Sequence, residues 1–244
     1  LSSTLLAGHV ILASFNAIKK VYRTLKPHKI GIYGPTMTGK TTLDQYLTVP
    51  GDIDPIPLEF RTTHAYDSTH KRYRMPQARR KLLRWKKDKK AISNNDIGGQ
   101  TQFRNLWIED MIDRKVEVVI FMIDHRVLTN LQCRMDAVAG FNYLVDALLK
   151  KHYPSTFNRK MKKKARKYQP KMFCFLINKM DIWFDQHAKV LWDLNLKREH
   201  PIVYPFRDGL KRLRKAGIRA DVEAISAQHG LNVEKVLINL IESM

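Results

Sequence analysis

"KIGIYGPTMTGKTT", residues 29–42, decides the fold. Its first part, "KIGIYG", reads as a short β-branched strand that ends in glycine, and residues 40–48 read as a helix. Between them, Gly34 to Thr41 follow the pattern of glycine, four residues, then Gly-Lys-Thr. That pattern, set between a strand and a helix, is a P-loop. The glycines let the backbone wrap a phosphate chain, and successive N–H groups with the helix N-terminus supply positive potential. Gly34, Thr38, Gly39, Lys40, Thr41 and Thr42 are the candidate phosphate-binding residues. Lys40 would reach the β- and γ-phosphates, and the Thr41 hydroxyl would coordinate Mg²⁺.

Outward from this motif the chain alternates. "VEVVIFMID" (116–124) and "KMFCFLIN" (171–178) are continuous apolar runs of strand length. Such runs belong to central parallel strands buried on both faces. Helical patterns follow at about 127–151 and 182–197, and the chain closes with "GLNVEKVLINLIE". "VPGDIDPIP" (49–57) is a loop. The expectation is an α/β P-loop NTPase domain, a doubly wound, mostly parallel sheet with helices on both faces.

Three further stretches carry chemistry. "NKMD", Asn178 to Asp181, ends the 171–178 strand, at the edge where doubly wound sheets bind ligands. The Asp181 carboxylate would accept bonds from the N1–H and exocyclic amine of guanine. Adenine would leave it buried and unpaired, which gives discrimination. Asn178 belongs to the same base site, and the aliphatic stem of Lys179 would cover base and P-loop. "SAQ", Ser226 to Gln228, follows the strand-like "ADVEAI", and the N–H groups of Ser226 and Ala227 would read the guanine O6. In "DIGGQTQFRNLW" (96–107), Asp96 would hold Mg²⁺ through a water, the Gly99 N–H would reach the γ-phosphate, and Gln100 would position the attacking water. Gly98-Gly99 is read as a hinge that swings when that phosphate leaves. Trp107 reads as exposed.

With these motifs in this order, the sequence resembles the Ras-like small GTPases, most closely their ADP-ribosylation-factor (Arf) branch. The Asp-x-Gly-Gly-Gln form, followed by Arg104, Leu106 and Trp107, is similar to the Arf version of that motif. The resemblance runs from about Lys29 to the C-terminus. It implies GTP and GDP as ligands, Mg²⁺ as cofactor, two switch loops, a low intrinsic rate of hydrolysis, and regulatory and effector proteins as partners. It also implies a first-switch threonine that touches Mg²⁺ and the γ-phosphate. Thr62 and Thr63 are the candidates; Thr63-His64-Ala65-Tyr66 fits the family pattern better, which makes Thr63 a catalytic and metal-binding candidate beside Lys40 and Gln100. Two other roles stay open: a GTP-bound scaffold with little turnover, like the β subunit of the signal-recognition-particle receptor, and an RNA- or ribosome-associated GTPase.

The chain departs from the family in its charge and in its spacing. Gly34 and Asp96 stand 62 positions apart, longer than the family pattern, with residues 71–90 as the expected insertion, and the stretch before Asn178 is also long, with 159–171 as its excess. Thr36 stands where Ras proteins carry glycine, which bears on whether a partner's arginine could enter. The formal charge is +21, of which 71–90 carry +10, 159–171 carry +8 and 197–215 carry +5. A nearly neutral body therefore wears three basic segments, suited to an anionic membrane surface, to nucleic acid or to an acidic protein. Tyr73, Trp85 and Tyr168, interleaved with this charge, are candidates for stacking on bases. Residues 1–28 read as an amphipathic helix, which would cover a core edge or lie on a membrane, ahead of a GTPase domain at 29–244. The end of a transmembrane span is the other reading of this segment. The two cysteines, Cys133 and Cys174, read as reduced structural thiols. The expected location is the cytoplasm or the cytoplasmic face of a membrane.

Overall fold

The structure, a computed structural model, describes residues 28–48, 66–73, 92–150 and 153–242. The expected N-terminal helix, Thr62, Thr63 and most of the first basic insertion, with its Trp85, lie outside the described residues.

Six strands form one sheet in the order β2-β3-β1-β4-β5-β6. They are β1 (His28–Tyr33), β2 (Tyr66–Tyr73), β3 (Ile92–Ile97), β4 (Val118–Ile123), β5 (Met172–Ile177) and β6 (Arg219–Ala224). β2 runs antiparallel to β3, and every other neighbouring pair is parallel. Lys71–Tyr73, the first residues of the expected insertion, thus belong to an edge strand. The polar sequence "ISNNDI" of β3 is a strand all the same, because β1 and β2 satisfy its backbone on either side.

β4 and β5 are buried at all six positions, as continuous apolar runs in the middle of a parallel sheet must be. One face of the sheet packs against α2 (Arg104–Arg114), α4 (Leu131–Leu148) and α8 (Arg207–Lys215). The other carries α1 (Lys40–Thr48) and α9 (Val233–Glu242). On the first face Phe141 stands among Phe121, Phe173, Phe175 and Phe206, with ring centroids 5.3–5.9 Å away. Each such fully buried side chain contributes about 1.5–3 kcal/mol. Gly209 of α8 lies against the Phe141 ring so closely that a Cβ there would collide with it.

Shorter helices complete the fold: α3 (Arg126–Thr129), α5 (Arg159–Lys167), α6 (Met180–Trp183) and α7 (Gln186–Asp193). The side chains of Asn130, Asn158 and Asp185 accept N–H bonds and so cap α4, α5 and α7. No helix among the described residues is long and apolar enough to cross a membrane.

Trp107 is fully buried, contrary to the sequence reading. Its indole lies between Tyr33 and Phe121, and its N–H donates to the Gly98 carbonyl at 3.0 Å. The reason is helical phase: Trp107, Ile108, Met111 and Ile112 share the face of α2 that meets the sheet.

Candidate functional site

β1, β4, β5 and β6 all end at one edge of the sheet, and their exits deliver Gly34, Asp124, Asn178 and Ser226 to a common rim. The P-loop residues turn there through alternating backbone conformations. Gly34 and Gly39 have φ of 143° and 90°, and Met37 is left-handed at 62°. At Gly34 a Cβ would collide with the Met122 carbonyl, and at Gly39 with the Asn178 amide. These two positions accept only glycine, and their sequence spacing follows from that. Lys40, buried, begins α1 and donates from Nζ to the carbonyls of Gly34 (3.0 Å) and Pro35 (2.7 Å). Thr41 and Thr42 lie in the first turn of the same helix, half-buried beside it.

Asn178 ties this loop to the rest of the rim. It is buried, and it donates from Nδ2 to the Thr38 carbonyl at 2.8 Å. Its Oδ1 accepts from the Ala227 N–H at 2.9 Å, and its own N–H donates to Ile123 at 2.8 Å. The N–H of Ser226 donates to Leu231 at 3.0 Å. Both N–H groups expected to read a base are therefore engaged within the protein, and that of Ala227 holds Asn178 in place. Lys179 takes a left-handed turn (φ 57°), which aims its side chain across the P-loop, 3.4 Å from the Met37 carbonyl. Asp181 lies in the first turn of α6 and stands 3.8 Å from the His229 imidazole.

The sequence reading missed one group. Asp124, at the end of β4, is nearly fully buried and receives the Lys179 ammonium at 2.7 Å. It also accepts from the Arg126 guanidinium at 2.9 and 3.0 Å. Arg126 in turn donates to the Thr36 carbonyl at 3.0 Å. Burial raises the Asp124 carboxyl, but the bonds from Arg126 and Lys179 outweigh it and hold the group below the usual carboxylate range. One carboxylate thus positions two cations that support the P-loop from behind. Its place at the carboxyl end of a central strand was the available signal.

"DIGGQ" leaves β3 and crosses the P-loop. Gly99 packs on the Pro35–Thr36 backbone so closely that any Cβ would collide with it. The glycine is required here for close approach. Gln100 follows, and its Oε1 is buried without a hydrogen-bond partner among the described residues. Arg104 forms an ion pair with Asp136 and donates to the Asp136 carbonyl at 3.1 Å, which fastens α2 to α4. Asp96 lies in β3, paired with Asp67 of β2.

The strand order, with one antiparallel edge strand beside five parallel ones and a P-loop after β1, decides the architecture. The fold is that of a Ras-like small GTPase. The chain is similar to the Arl6 (BBS3) small GTPase of Trypanosoma brucei, solved with the bound nucleotide analogue GppNp. The identity is 19%, the TM-score 0.51, and the match covers 89% of this chain and 97% of that one. It also matches a bacterial selenocysteine-specific elongation factor, EF-Sec, at 16% identity and a TM-score of 0.49. That match covers 90% of this chain and spans only 29% of the elongation factor. No family model and no curated protein matches the chain. In this GTPase fold the second basic run forms α5 and the segment that leads into β5.

The cradle also passes a test of fit for a nucleotide and its metal. Gly34, Gly39 and Gly99 let the backbone close up around the groove, since a Cβ at any of the three would collide with Met122, Asn178 or Pro35. Lys40 and the N-terminus of α1 face the same groove with positive potential, and the Thr41 hydroxyl is a hard oxygen ligand of the kind Mg²⁺ takes.

Proposed function

We propose that this protein binds GTP and GDP with Mg²⁺ and hydrolyses GTP slowly, as a conformational switch. One observation carries the reading. Asn178 locks the P-loop and the N-K-x-D loop into one rigid cup through Thr38 and Ala227. Phosphate and base sites are thereby held at a fixed separation, as a nucleotide requires.

In this reading the P-loop N–H groups and Lys40 hold the phosphates, with Thr38 and Thr42 in the cradle and Thr41 on the metal. Asp96 holds the metal through a water, and Thr63 contributes from the first switch. When bound, Mg²⁺ supplies neutralisation of the charge that develops on the phosphates. Gly99 brings its N–H over the P-loop, and Gln100, whose Oε1 has no partner among the described residues, orients the attacking water by accepting a hydrogen bond from it. Asp181 selects guanine, with Lys179 along one face of the base. The buried Asp124–Arg126 pair keeps the Thr36 segment in shape. The partners of such a switch are regulators and effectors that read its two states, in the cytoplasm or at a membrane facing it.

Replacement of Asp181 by Asn tests the base assignment. The variant is expected to lose GTP affinity by about 100-fold or more and to gain affinity for xanthosine triphosphate, because one acceptor pair becomes a donor–acceptor pair. Titration of both nucleotides reads it, and an unchanged GTP affinity sinks the assignment. Multiple-turnover phosphate release by the unaltered protein then separates a switch from a scaffold that retains GTP.

A further inference from the structure

The helix α5 is the most basic of the described helices. From Lys150 to Met180 the chain holds no acidic residue, and α5 itself reads RKMKKKARK. Met161 and Ala165 face the body, and Lys164 pairs with Asp113 of α2 at 2.8 Å. Arg159, Lys160, Lys162, Lys163, Arg166 and Lys167 are exposed, and no side chain of the six has a hydrogen bond or ion pair among the described residues. Lys160, Lys163 and Lys167 line one outward stripe by the three- and four-residue spacing of a helix.

This helix forms against its own electrostatics. Like charges four apart, such as Arg159–Lys163 and Lys163–Lys167, repel, and basic residues in the first turn oppose the helix dipole. What holds it is elsewhere: the Asn158 cap, the half-buried Met161 and buried Ala165, and the Tyr168 hydroxyl, which donates to the Val116 carbonyl at 2.9 Å. A solvated face would be stable with mixed signs. A polyanion relieves the repulsion. Just past α5, Gln169 reaches the Ala216 carbonyl at 3.5 Å, at the end of the less strongly basic α8, which holds five basic residues and Asp208 against seven basic residues and no acid in α5. The positive surface therefore continues over the pole at which β5 and β6 begin, away from the nucleotide rim.

We infer that this pole docks the phosphodiester backbone of a nucleic-acid duplex. Two observations choose that partner. A membrane-bound helix turns an apolar face to the lipid, and the apolar residues of α5 are consumed by the body. A single strand is held by exposed aromatic platforms, whereas Tyr168 is tied to Val116 and Tyr153 stacks on Phe157 inside the segment. What remains is charge alone, spaced along a helix, which fits phosphates and no base edges. This site is separate from the nucleotide cup and does not depend on the reading of it.

The test uses the full chain and two-turn RNA and DNA duplexes of mixed sequence, titrated across a range of salt concentrations. Both duplexes are expected to bind, with log K falling linearly against log salt. The triple variant Lys160→Gln, Lys163→Gln, Lys167→Gln is expected to bind more weakly, with a slope shallower by about 2.7, three phosphates at roughly 0.9 each. A slope equal to that of the parent overturns the proposal. So does a preference for single strands, or binding of α5-dependent strength to phosphatidylserine vesicles with none to duplexes. Should the triple variant fail to fold, Lys163→Gln alone is expected to change the slope by about 0.9. GTP affinity, measured alongside, is expected to stay at the parent value; its loss or absence bears on the nucleotide reading and leaves the duplex result standing.

Discussion

The Asn178 side-chain amide bridges 140 residues of sequence to reach the Thr38 carbonyl at 2.8 Å. Through this bond the P-loop takes its shape from the loop that would read the base. Replacement of Asn178 by Ala orphans the Thr38 carbonyl and the Ala227 N–H together. A stability loss of about 2 kcal/mol or more is expected, with weakened nucleotide binding. Urea unfolding and GTP titration check it. A lower urea midpoint with unchanged GTP affinity means that the P-loop is shaped without Asn178.

Gly99 touches Pro35 and Thr36 with no room for a methyl group. Gly99→Ala lifts the segment off the P-loop and carries Gln100 with it. A displacement of order 1 Å costs about 100-fold in rate. Single-turnover hydrolysis is expected to fall by that much, while GDP affinity, which needs no contact from this segment, stays nearly level. Equal losses for GDP binding and hydrolysis refute this division of labour.

Asp124 gives the protein an acid-sensitive joint. Its folded-state carboxyl lies below the usual value because Arg126 and Lys179 overcome the effect of burial. The unfolded chain then binds the proton more readily, so the stability this group contributes is fully present above about pH 4. It is lost as pH falls further, through the folded-state value. Urea midpoints measured from pH 7 down to pH 3 are expected to fall more steeply in the parent than in Asp124→Asn. Parallel profiles would exclude Asp124 as a source of acid sensitivity.

Under the P-loop, Tyr33 donates to the buried Asp110 at 2.6 Å, and Arg114 grips the same carboxylate at 2.6 and 2.7 Å. Tyr33→Phe removes one neutral donor and is expected to cost about 1 kcal/mol. Asp110→Ala leaves the Arg114 cation uncompensated inside the protein, at about 3–5 kcal/mol. Chemical denaturation of the two variants gives the ranking, and a reversed order contradicts it.

Much of this protein was legible in one dimension. The P-loop, the two central strands and helix α1 are local: they follow from glycine at forced backbone angles, from unbroken apolar runs and from a helix start at Lys40. Even N-K-x-D could be placed, because a motif at the end of an apolar run falls at the ligand edge of a parallel sheet. Asp124, Arg126 and the shared bonds of Asn178 were not legible, since hydrogen bonds between residues 36, 124, 126 and 179 exist only once the ends of β1, β4 and β5 share a rim. Trp107 misled for a related reason: whether an aromatic in a polar stretch is buried depends on which helix face meets the sheet. The sequence by itself determined that a P-loop and an N-K-x-D motif are both present and in order. Only the tertiary structure decided that they form one cup, and that the charge of α5 faces outward, because burial and pairing are properties of packed neighbours and not of residues in order.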